Sequence, residues 1–427
     1  MKSSAVRVLS LPTVSDIREE VERMGAVPSQ VQELVTTLGV EAVKVSRVPL
    51  AAAAALEQMV SSHRGIVILS QRLPEPESAG DRTLGGHPQT PLPYDSVDVL
   101  LVAPGPLLLE AARRLESGSE TEKAVANGLH TTLDRYQGRS LGTTRCGNLI
   151  FEWGKRSYIM GIINVTPDSF SGDGLGTNVE AAVAQGRRFV EEGADILDVG
   201  GESTRPGAEP VPVQEELKRV VPVIRRLVQE VPVPISIDSY KLLVVQEALE
   251  AGARMINDVW GLRRTEGLGS LAAAYDVPIV LMHNRRGVAS RTELGGHFQK
   301  VQYADLMGEI VQELEESIEL ALRSNVKWEN IIVDPGIGFG KTPQQNLVVM
   351  RRLRELRSLG RPILMGTSRK SVIGLTLGAP MEDRVEGTAA TVAVSICNGA
   401  DIVRVHDVRE MVRVARMTDA IIRRSGE

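Results

Sequence analysis

From Tyr158 to the C-terminus the chain repeats one pattern eight times: a short apolar run, a loop, and a segment with apolar residues at helical spacing. The runs are YIMGIIN from 158, ADILDVG from 194, VPISID from 233, RMIND from 254, VPIVLMH from 277, NIIVDPG from 330, RPILMG from 361 and ADIVRVH from 400. Between them lie amphipathic stretches such as VEAAVAQGRRFVEEG and QEELKRVVPVIRRLVQE. Eight such units in about 270 residues match the arithmetic of a (β/α)8 TIM barrel, which takes about 250. A doubly wound open sheet is the alternative, but the near-uniform units favour closure. The expected fold class is therefore α/β, a (β/α)8 barrel preceded by a smaller α/β domain.

That smaller unit is read from the first part of the chain, which carries strand-like runs VEAVKVS, GIVILS and DVLLVA and helix-like stretches such as SDIREEVERM and PLLLEAARRLES. A Pro/Gly-rich polar segment, 74–95, splits it and marks a long loop or insert. GRSLGTTRCGN reads as a polar link to the barrel. The expected domains are 1–145 and 146–427. For the first, an accessory or oligomerisation role and simple packing against the barrel both stay open.

Composition narrows the function. A chain of 427 residues with 42% hydrophobic and 24% charged content is ordinary for a globular protein. A net charge of -5 and a pI near 5.9 leave no electrostatic footprint for nucleic acid or anionic membrane. The local basic cluster Arg351, Arg352, Arg354 and Arg357 is expected on the solvated face of a helix. Two cysteines without CxxC spacing suggest neither a disulfide framework nor a thiolate zinc site, and a reducing cytoplasm is expected. The N-terminus has too short an apolar stretch for a signal peptide, and no run has the length of a membrane span.

In a barrel of this kind the active site lies at the C-terminal ends of the strands. Nearly every run here ends in polar groups: Asn164; Asp198, Glu202, Thr204 and Arg205; Asp238; Asn257 and Asp258; His283 and Asn284; Asp334; Ser368, Arg369 and Lys370; Arg404, His406 and Asp407. An aspartate after a strand is often a cap or turn former. Convergence at eight ends is harder to explain that way. Asp238, Asn257, Asp334 and Lys370 could read a flat heterocycle with adjacent N–H donors and ring acceptors. Arg404, His406 and Asn164 supply donors and a metal-compatible oxygen, as an anionic leaving group requires.

One stretch is misleading. DPGIGFGKTP, from 334, looks like a phosphate cradle, but a P-loop would need glycine at 335, where the chain has proline, and the dinucleotide fingerprint fails as well. Its glycines are expected to serve tight geometry and close backbone approach.

The segments MGIINVTPDSFSGDG, DVGGESTRPGAEPV, SIDSYK, IND, DPGIGFGK, GTSRKS and RVHDV, in order through the barrel, resemble the dihydropteroate synthase family of folate biosynthesis. The resemblance implies a transferase that condenses 6-hydroxymethyl-7,8-dihydropterin diphosphate with 4-aminobenzoate, assisted by Mg2+. It implies a pterin pocket of Asp238, Asn257, Asp334 and Lys370. Asn164, Arg404 and His406 would form the diphosphate and Mg2+ site, Asn164 as metal ligand, with Asp198 near the diphosphate. Thr204, Arg205, Pro206, Phe339, Lys370 and Ser368 would surround aminobenzoate, and Asp334, Lys370, Asp238 and Arg404 would be catalytic. The loops 166–174 and 203–211 would close as lids.

Two departures from the family pattern are visible: the order Gly172, Asp173, Gly174 in the first loop, so that Asp173 is not counted as a ligand, and Ser239 where threonine is frequent. A homodimer, a cytoplasmic setting and sensitivity to sulfonamides are further expectations. The rivals are a pterin-dependent methyltransferase, which has no diphosphate to expel, and a barrel that binds pterin without turnover.

Overall fold

The computed structural model describes residues 5–9, 24, 41–62, 65–70, 96–136, 141–165, 179–202, 210–285 and 301–423. The chain forms two compact units, Met1–Ser140 with Arg354–Gly360, and Leu141–Leu353 with Arg361–Glu427.

In the first unit, β1 (Ala5–Leu9), β2 (Glu41–Pro49), β3 (Ile66–Leu69) and β4 (Ser96–Ala103) form an antiparallel sheet in the order β1-β2-β4-β3. Among the described residues the helices Leu50–Ser61, Gly105–Leu115 and Glu120–Tyr136 accompany it. Val43, Val45, Leu101, Leu108 and Leu129 are fully buried in one core. The three strand-like runs of the sequence become β2, β3 and β4. AVRVL, in the short apolar stretch near the N-terminus that the sequence did not mark as a strand, pairs with β2. A register shift between Val45 and Val48 places Arg47 at φ 57, and its N–H donates to Asp98 Oδ1 at 3.0 Å. Residues 15–23, which hold nearly all of SDIREEVERM, and the segment 74–95 lie outside the described residues.

The second unit begins with a hairpin, β5 (Thr143–Cys146) and β6 (Leu149–Glu152), turned at Gly147 with φ 60. The polar link expected here is thus a structural element. Its composition conceals a strict alternation: Thr144 and Cys146 are buried while Thr143 and Arg145 are exposed. Phe151 stacks on Trp153 with centroids 4.7 Å apart, and Tyr158 meets Phe151 edge-on at 4.8 Å. This cluster packs with Met160, Ile196, Met255 and Ile332, so the hairpin plugs the end of the barrel where the strands begin.

Eight strands follow: β7 (Tyr158–Asn164), β8 (Ile196–Gly200), β9 (Ile235–Asp238), β10 (Met255–Asp258), β11 (Ile279–Met282), β12 (Ile331–Asp334), β13 (Leu364–Met365) and β14 (Ile402–Val405). They are parallel, in the order β12-β11-β10-β9-β8-β7-β14-β13. A parallel bridge from Val333 to Ile363 joins the two ends. This is the expected (β/α)8 barrel. Strands buried on both faces by helices read as near-continuous apolar runs, and for that reason all eight could be located in the sequence.

The basic cluster behaves differently from its expected solvated face. The helix Pro343–Arg351 ends at Arg351, and the chain turns into a 3-10 segment, Leu353–Leu359. Arg351 and Arg354 are exposed, but Arg352 is buried and Arg357 half-buried. Among the described residues no helix is long and apolar enough to cross a membrane.

Candidate active site

The register of the barrel sets the depth of each functional group. Asn164, Gly200, Asp238 and Asn257 lie side by side on four adjacent strands, and Asp198 sits two residues deeper on β8. Arg404 on β14 reaches across them. Its Nε donates to Asp198 Oδ2 at 2.6 Å and its Nη2 to Asp238 Oδ2 at 2.7 Å. Asn257 Nδ2 donates to the same Asp198 oxygen at 3.0 Å. Asp198 is wholly buried, and among the described residues its Oδ1 has no hydrogen-bond partner. Burial pushes Asp238 up to about 7, against the pull of Arg404 and with the push of Asp198. Two carboxylates thus share one guanidinium.

A second group stands at the ends of β12 and β13. Asp334 is buried, and its Oδ1 accepts the Gly336 N–H at 2.7 Å. Burial raises its carboxyl, with Lys370 pulling hardest in the other direction. Lys370 Nζ donates to the Ile337 carbonyl and lies 5.1 Å from the Phe339 ring centre. Phe339, Val259 and Met282 are buried together, with Tyr240 and Trp260 packed against them. An apolar wall therefore borders the polar groups, as a flat ring requires. Val259 and Met282 were not singled out from sequence, because an apolar residue beside a strand end looks like core.

A third group joins the last two loops. His406 N–H donates to Ser368 Oγ at 3.1 Å, and the same hydroxyl lies 3.0 Å from His406 Nδ1. With the hydroxyl hydrogen given to Nδ1, the proton of a neutral ring stays on Nε2, where it can meet an anionic oxygen. Arg369, at φ 55, pairs through both Nε and Nη2 with Asp407, so the loop holding Ser368 and Lys370 is tied to the one holding His406.

The remaining strand-end residues divide. Asn164 is half-buried at the end of β7. Asp258 is a turn former: it accepts the Trp260 and Leu262 N–H groups at 2.9 and 2.7 Å, and burial raises it to about 6. Asn284 Nδ2 donates to the Val259 carbonyl at 2.9 Å. Glu202 accepts from Tyr240, Lys241 and the Val211 N–H. Thr204, Arg205, Pro206, Asp173 and the greater part of both expected lid loops lie outside the described residues.

The DPGIGFG turn places Gly336, Gly338 and Gly340 at φ 67, 80 and 63, a conformation that favours glycine. A Cβ at Gly336 would stand 2.0 Å from the His283 carbonyl oxygen, which is the close approach expected of this stretch. Lys341 is buried beneath the turn. Sequence gave it no function, since only the fold brings it to His283.

Barrel, buried carboxylates at strand ends and apolar wall together define a class of enzyme that grips a flat heterocycle. Residues 160–406 match the pterin binding enzyme family, and the chain belongs to it. A dihydropteroate synthase from Clostridium beijerinckii is 49% identical over 281 residues, covering 66% of this chain and 100% of that protein. One from Bacillus subtilis is 47% identical over 272 residues, 64% of this chain and 91% of its own length. Among solved structures, a Clostridium difficile dihydropteroate synthase determined in the presence of pteroic acid aligns with TM-score 0.60 and 50% identity, covering 64% of this chain and all (100%) of that one. The Xanthomonas albilineans dihydropteroate synthase with 4-aminobenzoic acid aligns with TM-score 0.60 and 44% identity, over 65% of this chain and 97% of that one.

Proposed function

We infer that the chain is a dihydropteroate synthase: a transferase that condenses 6-hydroxymethyl-7,8-dihydropterin diphosphate with 4-aminobenzoate to give 7,8-dihydropteroate and pyrophosphate. The observation that carries this reading is the convergence of Asp198 and Asp238 on Arg404, with Asn257 bonded to Asp198, at the same ends of the strands as Asp334 and Lys370, in a chain about half identical to such enzymes along the whole barrel. Asp238, Asn257, Asp334 and Lys370 hold the pterin by its N–H donors and ring acceptors. Arg404 and His406 take the diphosphate. Ser368, Phe339 and Lys370 surround 4-aminobenzoate, together with Thr204, Arg205 and Pro206.

Breaking the bond between the exocyclic carbon and the diphosphate leaves positive charge that the electron-rich ring delocalises. Asp334 stabilises that charge, while Arg404 and His406 stabilise the departing anion. The amine nitrogen of 4-aminobenzoate then bonds to the carbon and releases a proton. An aromatic amine is neutral at pH 7 and needs placement more than a general base. Exclusion of water by the loops 166–174 and 203–211 would protect the cationic carbon.

Mg2+ is part of this proposal. Among the described residues no group of three His, Cys, Asp or Glu side chains could hold a metal, and Asn164 offers one neutral oxygen. Such a sparse donor set fits Mg2+, which keeps several waters and takes phosphate oxygens from its substrate. Asn164 would hold the ion, which neutralises charge on the diphosphate.

A homodimer is proposed on the exposed apolar residues Leu375, Leu377, Val394, Met417 and Ile421, carried by the helices Ser371–Leu377, Val385–Cys397 and Val408–Ile422. The cytoplasm fits the cysteine usage. The N-terminal unit is proposed as an accessory module, to be tested by deleting residues 1–140 and measuring activity and assembly state.

The deciding experiment is pyrophosphate release from the pterin diphosphate with and without 4-aminobenzoate and Mg2+. Release that depends on the amine supports the reading. Its absence overturns it in favour of the methyltransferase or the binding barrel.

A further inference from the structure

The loop from Pro335 to Lys341 carries Phe339 and the Ile337 carbonyl, yet three of its residues are left-handed glycines with the largest conformational freedom of any residue. Something must hold it in one shape. Lys341 Nζ lies inside the loop and donates to the Gly336 carbonyl at 3.1 Å and the Phe339 carbonyl at 3.2 Å, with His283 Nδ1 at 2.8 Å. Two carbonyls and a ring nitrogen stand where they can accept the three hydrogens of an ammonium. The Ile337 carbonyl points the other way and accepts from Lys370. The loop is gripped from within by one lysine and from the pocket side by another.

Lys341 is itself braced. With His283 Nδ1 as acceptor, the ring proton sits on Nε2, 3.3 Å from a Glu313 oxygen in an electrostatic contact outside hydrogen-bond geometry. Glu313, on the helix Leu306–Arg323, also pairs with Arg263 and Arg285. Burial keeps His283 neutral by lowering it to about 3, and burial likewise draws Lys341 well below the usual lysine range, against the pull of Asp334 and Glu313. Although burial alone would raise Glu313, His283 and Arg285 hold it well below the usual carboxylate range. The loop is tied on its outer side as well: Tyr303 Oη donates to the Gly340 carbonyl at 2.8 Å, and the Gly338 N–H to Asn346 Oδ1 at 2.8 Å.

We propose that Lys341, braced by His283 and Glu313, is a positioning residue that sets the 335–341 loop so that Phe339 and Lys370 stand where 4-aminobenzoate binds. This rests on the proposed function, and it goes beyond it by assigning a role to two buried residues, Lys341 and His283, and the half-buried Glu313, none of which touches substrate. Asp334 belongs to β12, paired in register with Met282, so the pterin side depends less on the loop than the amine side does.

The test compares Lys341→Met, His283→Asn and His283→Leu with the wild-type chain, measuring the KM of each substrate, kcat and thermal unfolding. Lys341→Met is expected to raise the KM for 4-aminobenzoate by about tenfold or more while the KM for the pterin diphosphate moves by less than about threefold. His283→Asn, whose Oδ1 can stand in for Nδ1 as acceptor, should lie closer to wild type than His283→Leu. Equal changes in both KM values, or activity lost only in step with folded protein, overturn the proposal. So does His283→Asn behaving like His283→Leu, a comparison that decides the matter even where Lys341→Met fails to fold. Wild-type chain without amine-dependent release would instead refute the activity itself.

Discussion

Arg404 and Asp238 lie 166 residues apart in the chain and meet in a 2.7 Å charge-assisted hydrogen bond at the mouth of the barrel. Asp198 holds the neighbouring Nε at 2.6 Å, so a single guanidinium compensates one buried carboxylate, Asp198, and one half-buried, Asp238. Removing one partner of a buried ion pair strands the other, at a cost of about 3–5 kcal/mol. Arg404→Met is expected to lose stability on that scale in urea unfolding at neutral pH. The deficit should shrink at about pH 5, below the value of about 7 for Asp238, where that stranded carboxyl is protonated. A deficit of the same size at both pH values would mean that the ion pair is not its source.

Asp238 gives a pH dependence of definite sign. Burial raises it to about 7, above the roughly 3.9 of an unfolded aspartate. Its contribution to stability is therefore fully present below about pH 4 and is lost as the pH rises through about 7. Pterin binding runs the opposite way, because only the ionised carboxylate accepts two N–H bonds without offering a proton. Pterin affinity should climb through about pH 7 in calorimetric titrations, and Asp238→Asn should flatten the climb. An affinity that does not change across this range would refute the assignment of Asp238 to the ring.

These relationships show where sequence reasoning reached its limit. The eight strands were legible because burial on both faces writes each as an apolar run, and the polar residues that end them were legible because function sits at those ends. TTRCGNLIFE was not, since its period-2 burial is masked by threonine and arginine. Arg404 was assigned to the leaving group from its strand-end position, its donors and the family resemblance, whereas its bonds to Asp198 and Asp238 join residues 206 and 166 positions away. Lys341 was recognised as no P-loop lysine, but its place between two loop carbonyls and His283 depends on a strand 58 residues earlier. Asp258 was one of several strand-end carboxylates until its two backbone bonds marked it as a turn former.

Gly336 and Gly378 share the same φ of 67 in different surroundings. A Cβ at Gly378 meets nothing within 4 Å, and one at Gly336 meets the His283 carbonyl oxygen at 2.0 Å. Gly378→Ala should then cost only the left-handed penalty of about 1–2 kcal/mol. Gly336→Ala adds a backbone collision and is expected to exceed about 3 kcal/mol, in the range reserved for a few severe mechanisms. Chemical denaturation of both variants reads the difference, and equal costs would place the Gly336 turn farther from His283 than described.

The hairpin plug separates stability from chemistry. Phe151 is wholly buried between Trp153 and Tyr158 at the opposite end of the strands from Asp334. Phe151→Ala should destabilise by about 3–5 kcal/mol through lost burial and the remaining cavity. At a temperature where the variant stays folded, its kcat and both KM values should match wild type. A selective fall in kcat would mean that the plug reaches the reacting end of the barrel.

Asp334→Asn tests the centre of the proposed chemistry. The substitution keeps an oxygen that can accept the Gly336 N–H, at present 2.7 Å from Oδ1, so the turn has no reason to collapse. It also removes a buried charge whose ionisation burial opposes, and the fold should be as stable as wild type or more so at neutral pH. What disappears is the negative charge beside the ring as diphosphate leaves. Loss of one preorganised electrostatic group costs about 10²–10³ in kcat. Pyrophosphate release should fall by that factor while thermal unfolding is unchanged or shifted upward. Retention of wild-type kcat would show that the cationic ring is stabilised elsewhere, and the mechanism would then have to be built on Lys370 and Arg404 without it.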